Sequence, residues 1–301
     1  MKKFSAAIAL LLLALPVEAQ VSGRVYPERC DDLSWENELV AFRVYGPETQ
    51  RRGERSYGYD LFLKYPDKGP VLERLYGEQC SAANWSVVDS LRKIDARLAK
   101  DFENSFTYHI DHGLGMDCYA VGSTLGCGVA ALRVDGAICY PWCYETVDIK
   151  ENGPDRFEAA LTFAPVKIGD DEVIEKRTIS LEKGSRLNHC EVCFEGLTEP
   201  RELVVGFPMR GTPQEYADVA KGIIAITDPT QGADNGTIFL GVDVSNKCTG
   251  TVIADNHFLL TLQINPGETL VYDWGFAWDR TDISDFRDWV EYLCNRAGAQ
   301  D

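Results

Sequence analysis

The sequence predicts a mainly β protein: a two-sheet antiparallel β-sandwich carrying one amphipathic helical insert and a closing C-terminal helix. Three observations lead there. From residue 129 onward, short apolar runs alternate with turn dipeptides, Asp135-Gly136, Asn152-Gly153, Gly169-Asp170 and Lys183-Gly184, which let a chain reverse. Only two stretches carry the apolar spacing of a helix. No repeat, linker or low-complexity run breaks the pattern, so residues 20–301 read as one domain. Many short strands with few helices make a sandwich or barrel.

In chain order, residues 35–46 read as the first strand, where Leu39, Ala41 and Val44 mix with aromatics before a Gly-Pro turn. Residues 57–65 follow. There Asp60, Phe62 and Lys64 alternate with Tyr59, Leu61 and Leu63, and Pro66 ends the run. From Ser86 to Glu103 the period changes. Trp85, Val88, Leu91, Ile94, Leu98 and Phe102 recur at three- and four-residue steps, the mark of a single amphipathic helix in an insert covering about residues 77–103. Strands are then expected at 129–134, 138–149, 155–163, 173–181, 187–194, 202–207, 222–227, 236–244, 250–254, 257–263 and 269–277. Residues 284–296 read as the closing helix, with Phe286, Trp289, Val290 and Leu293 on one side.

The amino end predicts export. Lys2 and Lys3 precede an apolar run from Ala6 to Leu15, and Val17-Glu18-Ala19 has the small-x-small form of a signal-peptidase site. Residues 1–19 are thus expected to be a signal peptide, too short in its apolar core to span a bilayer. The expected location is periplasmic or secreted. Removing Lys2, Lys3 and Glu18 moves the net charge from −17 to −18. Such an acidic chain is a poor partner for nucleic acid or an anionic membrane, and no later segment is apolar enough for a membrane span. An acidic ligand would have to meet a local cluster of Arg, Lys or metal. The ten cysteines fit an oxidising compartment. Cys118 with Cys127 and Cys139 with Cys143 are neighbouring candidate pairs. A zinc reading of His189, Cys190 and Cys193 with Cys139 and Cys143 is weakened by strand alternation, which points Cys190 and Cys193 to opposite faces.

The chemistry concentrates between Tyr108 and Gly128, where two of the four histidines stand among aspartates, tyrosines and glycines. If the segment is extended, His109 and Asp111 share one face. A glycine-flanked turn at Gly113-Leu114-Gly115 could bring Asp117 and Tyr119 back onto the same surface. Clustered His, Asp and Tyr suit proton transfer. His109, Asp111, His112 and Asp117 are also eligible ligands for a divalent metal ion, although their spacing matches no strong metal motif. The plainer alternative is a polar hairpin whose aspartates satisfy turn amides.

Several segments together carry a family resemblance. They are Trp35-Glu36-Asn37-Glu38 with Ala41-Phe42-Arg43-x-Tyr45-Gly46; the His109-x-Asp111-x-Gly113-x-Gly115-x-Asp117-x-Tyr119-x-Val121-Gly122 stretch; Asn152-Gly153-Pro154; Leu181-x-x-Gly184-Ser185; and Pro266-Gly267 with Trp274-Gly275-x-Ala277-Trp278. Over nearly the whole mature chain this resembles the secreted Bacteroidota family of domain of unknown function 4861. The resemblance implies a β-sandwich related to the galactose-mutarotase and polysaccharide-lyase sandwiches. Through a relative in ulvan breakdown, it also implies an oligosaccharide dehydratase that removes water from a non-reducing-end uronate to leave a 4,5-unsaturated sugar.

Such an elimination needs a cation near the carboxylate, a base for the C5 proton and an acid for the leaving hydroxyl. His109 or His112 is the candidate base, oriented by Asp111 or Asp117, and Tyr119 the candidate acid. Arg43, Lys64 and Arg210 are candidates for holding the substrate carboxylate. In the aromatic run Tyr140-Pro141-Trp142-Cys143-Tyr144, Trp142 and Tyr144 are candidate sugar-stacking walls. Trp274 and Trp278 read as core and rim, and His189 and His257 as structural. The competing readings are a polysaccharide lyase that expels a sugar instead of water, a mutarotase-like or hydrolytic enzyme using Asp111 and Asp117, and a non-catalytic carbohydrate-binding protein.

Overall fold

The computed structural model describes residues 21–232 and 234–297. The expected signal peptide lies outside the described residues. The chain runs β1 (Ser22–Tyr26), β2 (Asp32–Glu36), β3 (Ala41–Val44), α1 (Pro47–Arg51), β4 (Asp60–Lys64), α2 (Leu72–Gln79), α3 (Ala82–Arg92), α4 (Ala96–Asn104) and β5 (Gly115–Met116). It continues through β6 (Ala130–Val134), β7 (Ala137–Ile138), β8 (Tyr144–Asn152), β9 (Arg156–Phe163), β10 (Val166–Ile168), β11 (Asp171–Glu182), β12 (Leu187–Glu195) and β13 (Arg201–Pro208). The last elements are β14 (Glu215–Asp218), β15 (Ile223–Asp228), β16 (Ile238–Val244), β17 (Cys248–Ala254), β18 (His257–Ile264), β19 (Thr269–Trp278) and α5 (Phe286–Ala297).

The protein is mainly β, as predicted. Among the described residues a first sheet runs β1-β2-β3-β4-β5. A large sheet runs β14-β15-β16-β19-β12-β11-β9-β8 with β10 beside β11, and a third runs β17-β18-β13-β6-β7. All ladder pairs are antiparallel, and a parallel bridge between Tyr59 and Gly126 links the first sheet to the start of the third. That junction needs glycine: Gly126 has φ +59°, and a Cβ there would sit 2.1 Å from the Tyr59 carbonyl oxygen. The first sheet packs on the large one through Trp35 and Phe42 against Phe157, Trp274 and Phe276. Strand alternation builds this core. Leu33, Trp35, Phe42, Val44, Leu61 and Leu63 face it, while the residues between them face the other way.

Those alternate residues decide the character of the molecule. Asp32, Ser34, Glu36, Arg43, Asp60 and Lys64 all point to the outer face of the first sheet, yet all are buried. A cover formed by α2 and residues 106–117 lies over them, cemented by Tyr26, Phe62, Tyr76 and Tyr108. The Glu36 carboxylate accepts hydrogen bonds from the Val71 and Leu72 amides at the start of α2, each 2.9 Å, where a negative charge favours the helix. Lys64 donates to that carboxylate at 2.6 Å and to the Asn37 carbonyl at 2.7 Å.

Several expectations need correction. The 35–46 strand is two strands, because the Asn37 side chain accepts from the Leu39 and Val40 amides and turns the chain. The single helix expected at 86–103 is two, α3 and α4. Asp95 accepts from the Arg97 amide at 2.8 Å and starts α4 as a new helix, so Ile94 is exposed rather than packed. Helices α3 and α4 pack on each other through Val88 and Ala99, with Phe106 just past α4 in the same cluster. The expected strand 138–149 divides into β7 and β8 around the aromatic run. All ten cysteines are free thiols. The Cys127 thiol is directed at the Tyr59 carbonyl and the Cys143 thiol at that of Ser56. Cys190 is buried and Cys193 faces the other side of β12, as alternation required.

Candidate functional site

The stretch from Tyr108 to Tyr119 does not form the expected extended hairpin. Residues 108–110 make a turn after α4, closed by the Ile110 amide on the Thr107 carbonyl. Asp111 then accepts from the Gly113 and Gly115 amides at 2.7 and 3.1 Å. The chain comes back, and the Asp117 amide donates to the Tyr108 carbonyl at 2.8 Å. Gly115 (φ +111°) makes the return feasible, since a Cβ would meet the Leu63 carbonyl oxygen at 1.9 Å. The reversal expected from the glycines occurs, but it distributes the polar residues over three stations instead of one surface.

At the first station, His109 is exposed and its Nδ1–H donates to the Asp117 backbone carbonyl at 2.9 Å. The tautomer is thereby set, and Nε2 keeps a lone pair toward solvent. Beneath it the Asp117 carboxylate, 3.9 Å from that imidazole, accepts from Arg43 at 2.8 Å. Arg43 also donates to Asp60 (3.0 Å from Nε), to the Tyr45 hydroxyl and to the Tyr108 hydroxyl (each 3.3 Å). Burial pushes the Asp117 pKa above the usual carboxylate value, against the pull of Arg43.

The second station centres on Asp111. The Tyr65 hydroxyl donates to it at 2.8 Å. Burial works to raise the Asp111 pKa, but the bonds from Tyr65, Gly113 and Gly115 outweigh it and hold the group low. The Tyr65 phenol moves the other way, raised by partial burial and by Asp111, while nearby Arg280 pulls it down. Arg280 lies over the Trp278 ring, whose centroid is 5.0 Å from that of Tyr65.

The third station holds Tyr119 under the Arg210 guanidinium, 4.8 Å above the ring. Arg210 is tied to Asp228 at 2.5 Å and to the Ala120 carbonyl. It opens onto a polar cleft of about 400 Å³, with Gln214, Thr237 and Asp279 among its walls. The stations adjoin one another. The Gln231 amide donates to the Cys118 carbonyl, and Asp279, a wall of the Arg210 cleft, directly precedes Arg280.

The sequence candidates therefore separate. His109 and Asp117 are brought together, whereas Asp111 belongs with Tyr65 and Tyr119 with Arg210. His112 is exposed on the loop. Tyr119 is buried with its pKa far above that of a free phenol, which removes it from the role of accessible acid. Arg43 and Lys64 are 2 % exposed and spent on internal partners, so neither presents a cation to a ligand. Trp142 is exposed beside Tyr57, bordering a different cavity of about 210 Å³ with Tyr140, Phe163 and Lys167. Tyr144 is core, its hydroxyl donating to the Asp31 carbonyl. Trp278 is buried, not rim. His257 is structural, as read: Nδ1–H donates to the Asp255 carbonyl and Nε2 accepts from the Leu125 amide. Among the described residues no three His, Cys, Asp or Glu side chains converge as a metal site, so His109, Asp111, His112 and Asp117 do not form the ligand set considered for a divalent ion. The sequence reading missed Tyr65, Arg280 and Asp228. Tyr65 and Arg280 stand just past the ends of β4 and β19, where side chains leave the sheet, and that position is their only signal.

A curated relative, uncharacterized protein P7 of Formosa agariphila, is 29 % identical over 268 residues, which is 85 % of this chain and 61 % of the relative. The chain thus spans about three fifths of that protein's length. Among solved structures, the GH36 α-galactosidase AgaB of Geobacillus stearothermophilus is similar at TM-score 0.36 and 11 % identity, over 85 % of this chain and 41 % of that one. A variant of the GH36 α-galactosidase AgaA from the same organism gives TM-score 0.30 and 10 % identity, over 81 % and 39 %. Similarities this low bear on neither activity nor substrate. The family model described as domain of unknown function (DUF4861) matches residues 13–300, and the chain belongs to that family.

Proposed function

We propose that this protein is an exported carbon–oxygen lyase that dehydrates a non-reducing-end uronate of an acidic oligosaccharide, as the family resemblance implies. The observation that carries the reading is His109, an exposed imidazole held in one tautomer by the Asp117 carbonyl with Nε2 free. Neighbouring stations supply the other requirements. Arg280 offers a guanidinium for the substrate carboxylate, with Arg210 over the adjoining cleft, and Tyr65 offers a phenolic proton. Tyr65 here replaces the buried Tyr119 as the acid.

In the reaction, His109 Nε2 takes the C5 proton. The electron pair of that C–H bond forms the C4–C5 double bond as the C4–O bond breaks. The leaving hydroxyl takes the Tyr65 proton and departs as water. Arg280 offsets both the charge that develops toward the carboxylate and the phenolate left on Tyr65. Proton exchange with solvent then resets both side chains.

The test is incubation with oligosaccharides that end in a uronate, followed by mass and ultraviolet absorbance, with and without chelator. Loss of one water together with new conjugated-alkene absorbance supports the dehydratase. Chain cleavage with the same absorbance makes the protein a polysaccharide lyase. No change across a broad panel sinks both eliminations and favours a carbohydrate-binding protein.

A further inference from the structure

The large sheet has a second polar site on its outer face, away from the core and beside α5. Cross-strand register lines up Asp243, Asp273, His189, Ser180 and Glu158 across β16, β19, β12, β11 and β9. His189 Nδ1–H donates to Asp273 at 2.7 Å, which leaves Nε2 directed away from that carboxylate. The next row brings Glu182 opposite Arg156. Helix α5 closes one end: Trp289 and Leu293 pack on the sheet, and Arg296 in its last turn reaches the Ser185 hydroxyl at 3.3 Å. These groups enclose a pocket of about 220 Å³ lined by Arg156, Ser180, Glu182, His189, Asp273 and Arg296, together with Ser185 and Leu187.

We propose that this pocket binds one ring of a neutral, polyhydroxylated sugar. Its volume is below the roughly 300 Å³ at which pockets for drug-sized ligands begin, and suits a single ring. Its charge excludes an anion. Arg156 is already matched by Glu151 and Glu158, and Arg296 faces Asp273 at 3.9 Å, so no cation is left unmatched while Glu182 adds negative charge. Its geometry does not serve a metal, since among the described residues no three eligible ligands converge. What remains is a wall of planar groups. The Glu182 carboxylate can accept two hydroxyl protons, and the N–H groups of Arg156 and Arg296 that their carboxylate partners leave over can donate, which fits vicinal diols. The bond between His189 and Asp273 and the ion pairs of Arg156 hold much of this wall in place without a ligand, which reduces the ordering needed on binding.

This site goes beyond the reaction proposed above and stands if that reaction fails. The experiment is an imidazole ¹H–¹⁵N correlation spectrum of the full chain during titration with the neutral methyl glycosides of glucose, galactose, rhamnose and xylose, and with glucuronate. The His189 signals are expected to move saturably with at least one neutral glycoside. Glu182→Gln, at an exposed position that should leave folding intact, should weaken that binding by roughly tenfold or more. His109→Gln should bind as the parent does. A His189 signal that stays still through the neutral panel, or moves only with glucuronate, overturns the proposal, as does unchanged affinity in Glu182→Gln.

Discussion

Arg43→Met separates a structural arginine from a ligand-binding one. In the parent, Arg43 is 2 % exposed and neutralises Asp60 and Asp117, which are 0 % and 4 % exposed. Methionine keeps much of the stem's volume and removes the charge. Two carboxylates then stay buried without their counter-ion, and breaking a buried pair in this way costs about 3–5 kcal/mol. Against a typical domain stability of about 5–15 kcal/mol, that is enough to show plainly in denaturation. The loss has a pH signature. Burial already raises the Asp117 pKa, so its folded form holds a proton more tightly than its unfolded form, and its contribution to stability falls as pH rises. Without Arg43 that pKa rises further. The deficit should therefore be largest in alkaline buffer and shrink on acidification. Urea denaturation followed by circular dichroism at several pH values measures it. A variant within about 0.5 kcal/mol of the parent at every pH, with a raised KM for a carboxylated saccharide, would refute the reasoning and return Arg43 to the substrate.

Four further outcomes follow from the same geometry. His109→Gln should lower kcat by roughly 10²–10⁴ with unchanged thermal unfolding, because the ring is exposed and only its chemistry is lost; an active variant removes it as the base. Tyr65→Phe should lower kcat and erase the alkaline limb of its pH profile, read by steady-state kinetics; a retained limb assigns the acid elsewhere. Asp273→Asn should drop the His189 pKa, since the bond from Nδ1 to Asp273 raises it against burial, and an NMR titration checks the direction. Asp243→Asn should stabilise the protein above neutral pH. Burial and the facing Asp273 push Asp243 up to about 6, so the parent loses stability as pH climbs from the ordinary carboxylate range through that value. The gain should be on the order of 1–2 kcal/mol at pH 8 and vanish near pH 4, measured by denaturation.

The strands were legible because alternation is a local signal: a strand buried on one face writes that face into every second residue, as in β9 and β11. The insert was half legible. Apolar spacing marked it as helical, but the break at Asp95 depends on one side chain choosing to cap. Partners far along the chain were not legible. Asn37 donates to the carbonyls of Glu182 and Ser185, and Glu38 accepts from the Gly184 amide, so two residues of the Trp-Glu-Asn-Glu segment stitch the first sheet to the turn between β11 and β12. Nothing local distinguishes such a staple from a binding residue. Arg43 and Lys64 show the same limit. Their strand face was readable, but whether that face meets water or a covering helix depends on residues 66–117.

That cover also explains why the polar stretch divides. His109 takes its orientation from the backbone of Asp117, and Asp117 takes its position from Arg43 below. The imidazole therefore rests on a buried ion layer rather than on a mobile loop. The alternative is a site assembled only by exposed loop contacts, where the entropy of ordering the loop would count against every turnover. The arrangement fixes how damage should propagate. Disturbing Arg43 tilts His109 without touching the substrate, so whatever activity the folded fraction of Arg43→Met loses should appear in kcat. In the proposed reaction Arg280 and Arg210 act on the substrate carboxylate, so changes there should appear mainly in KM. The buried Arg43 layer and the more accessible Arg280 and Arg210 should thus answer to different kinetic constants, although all are arginines that look alike in the sequence.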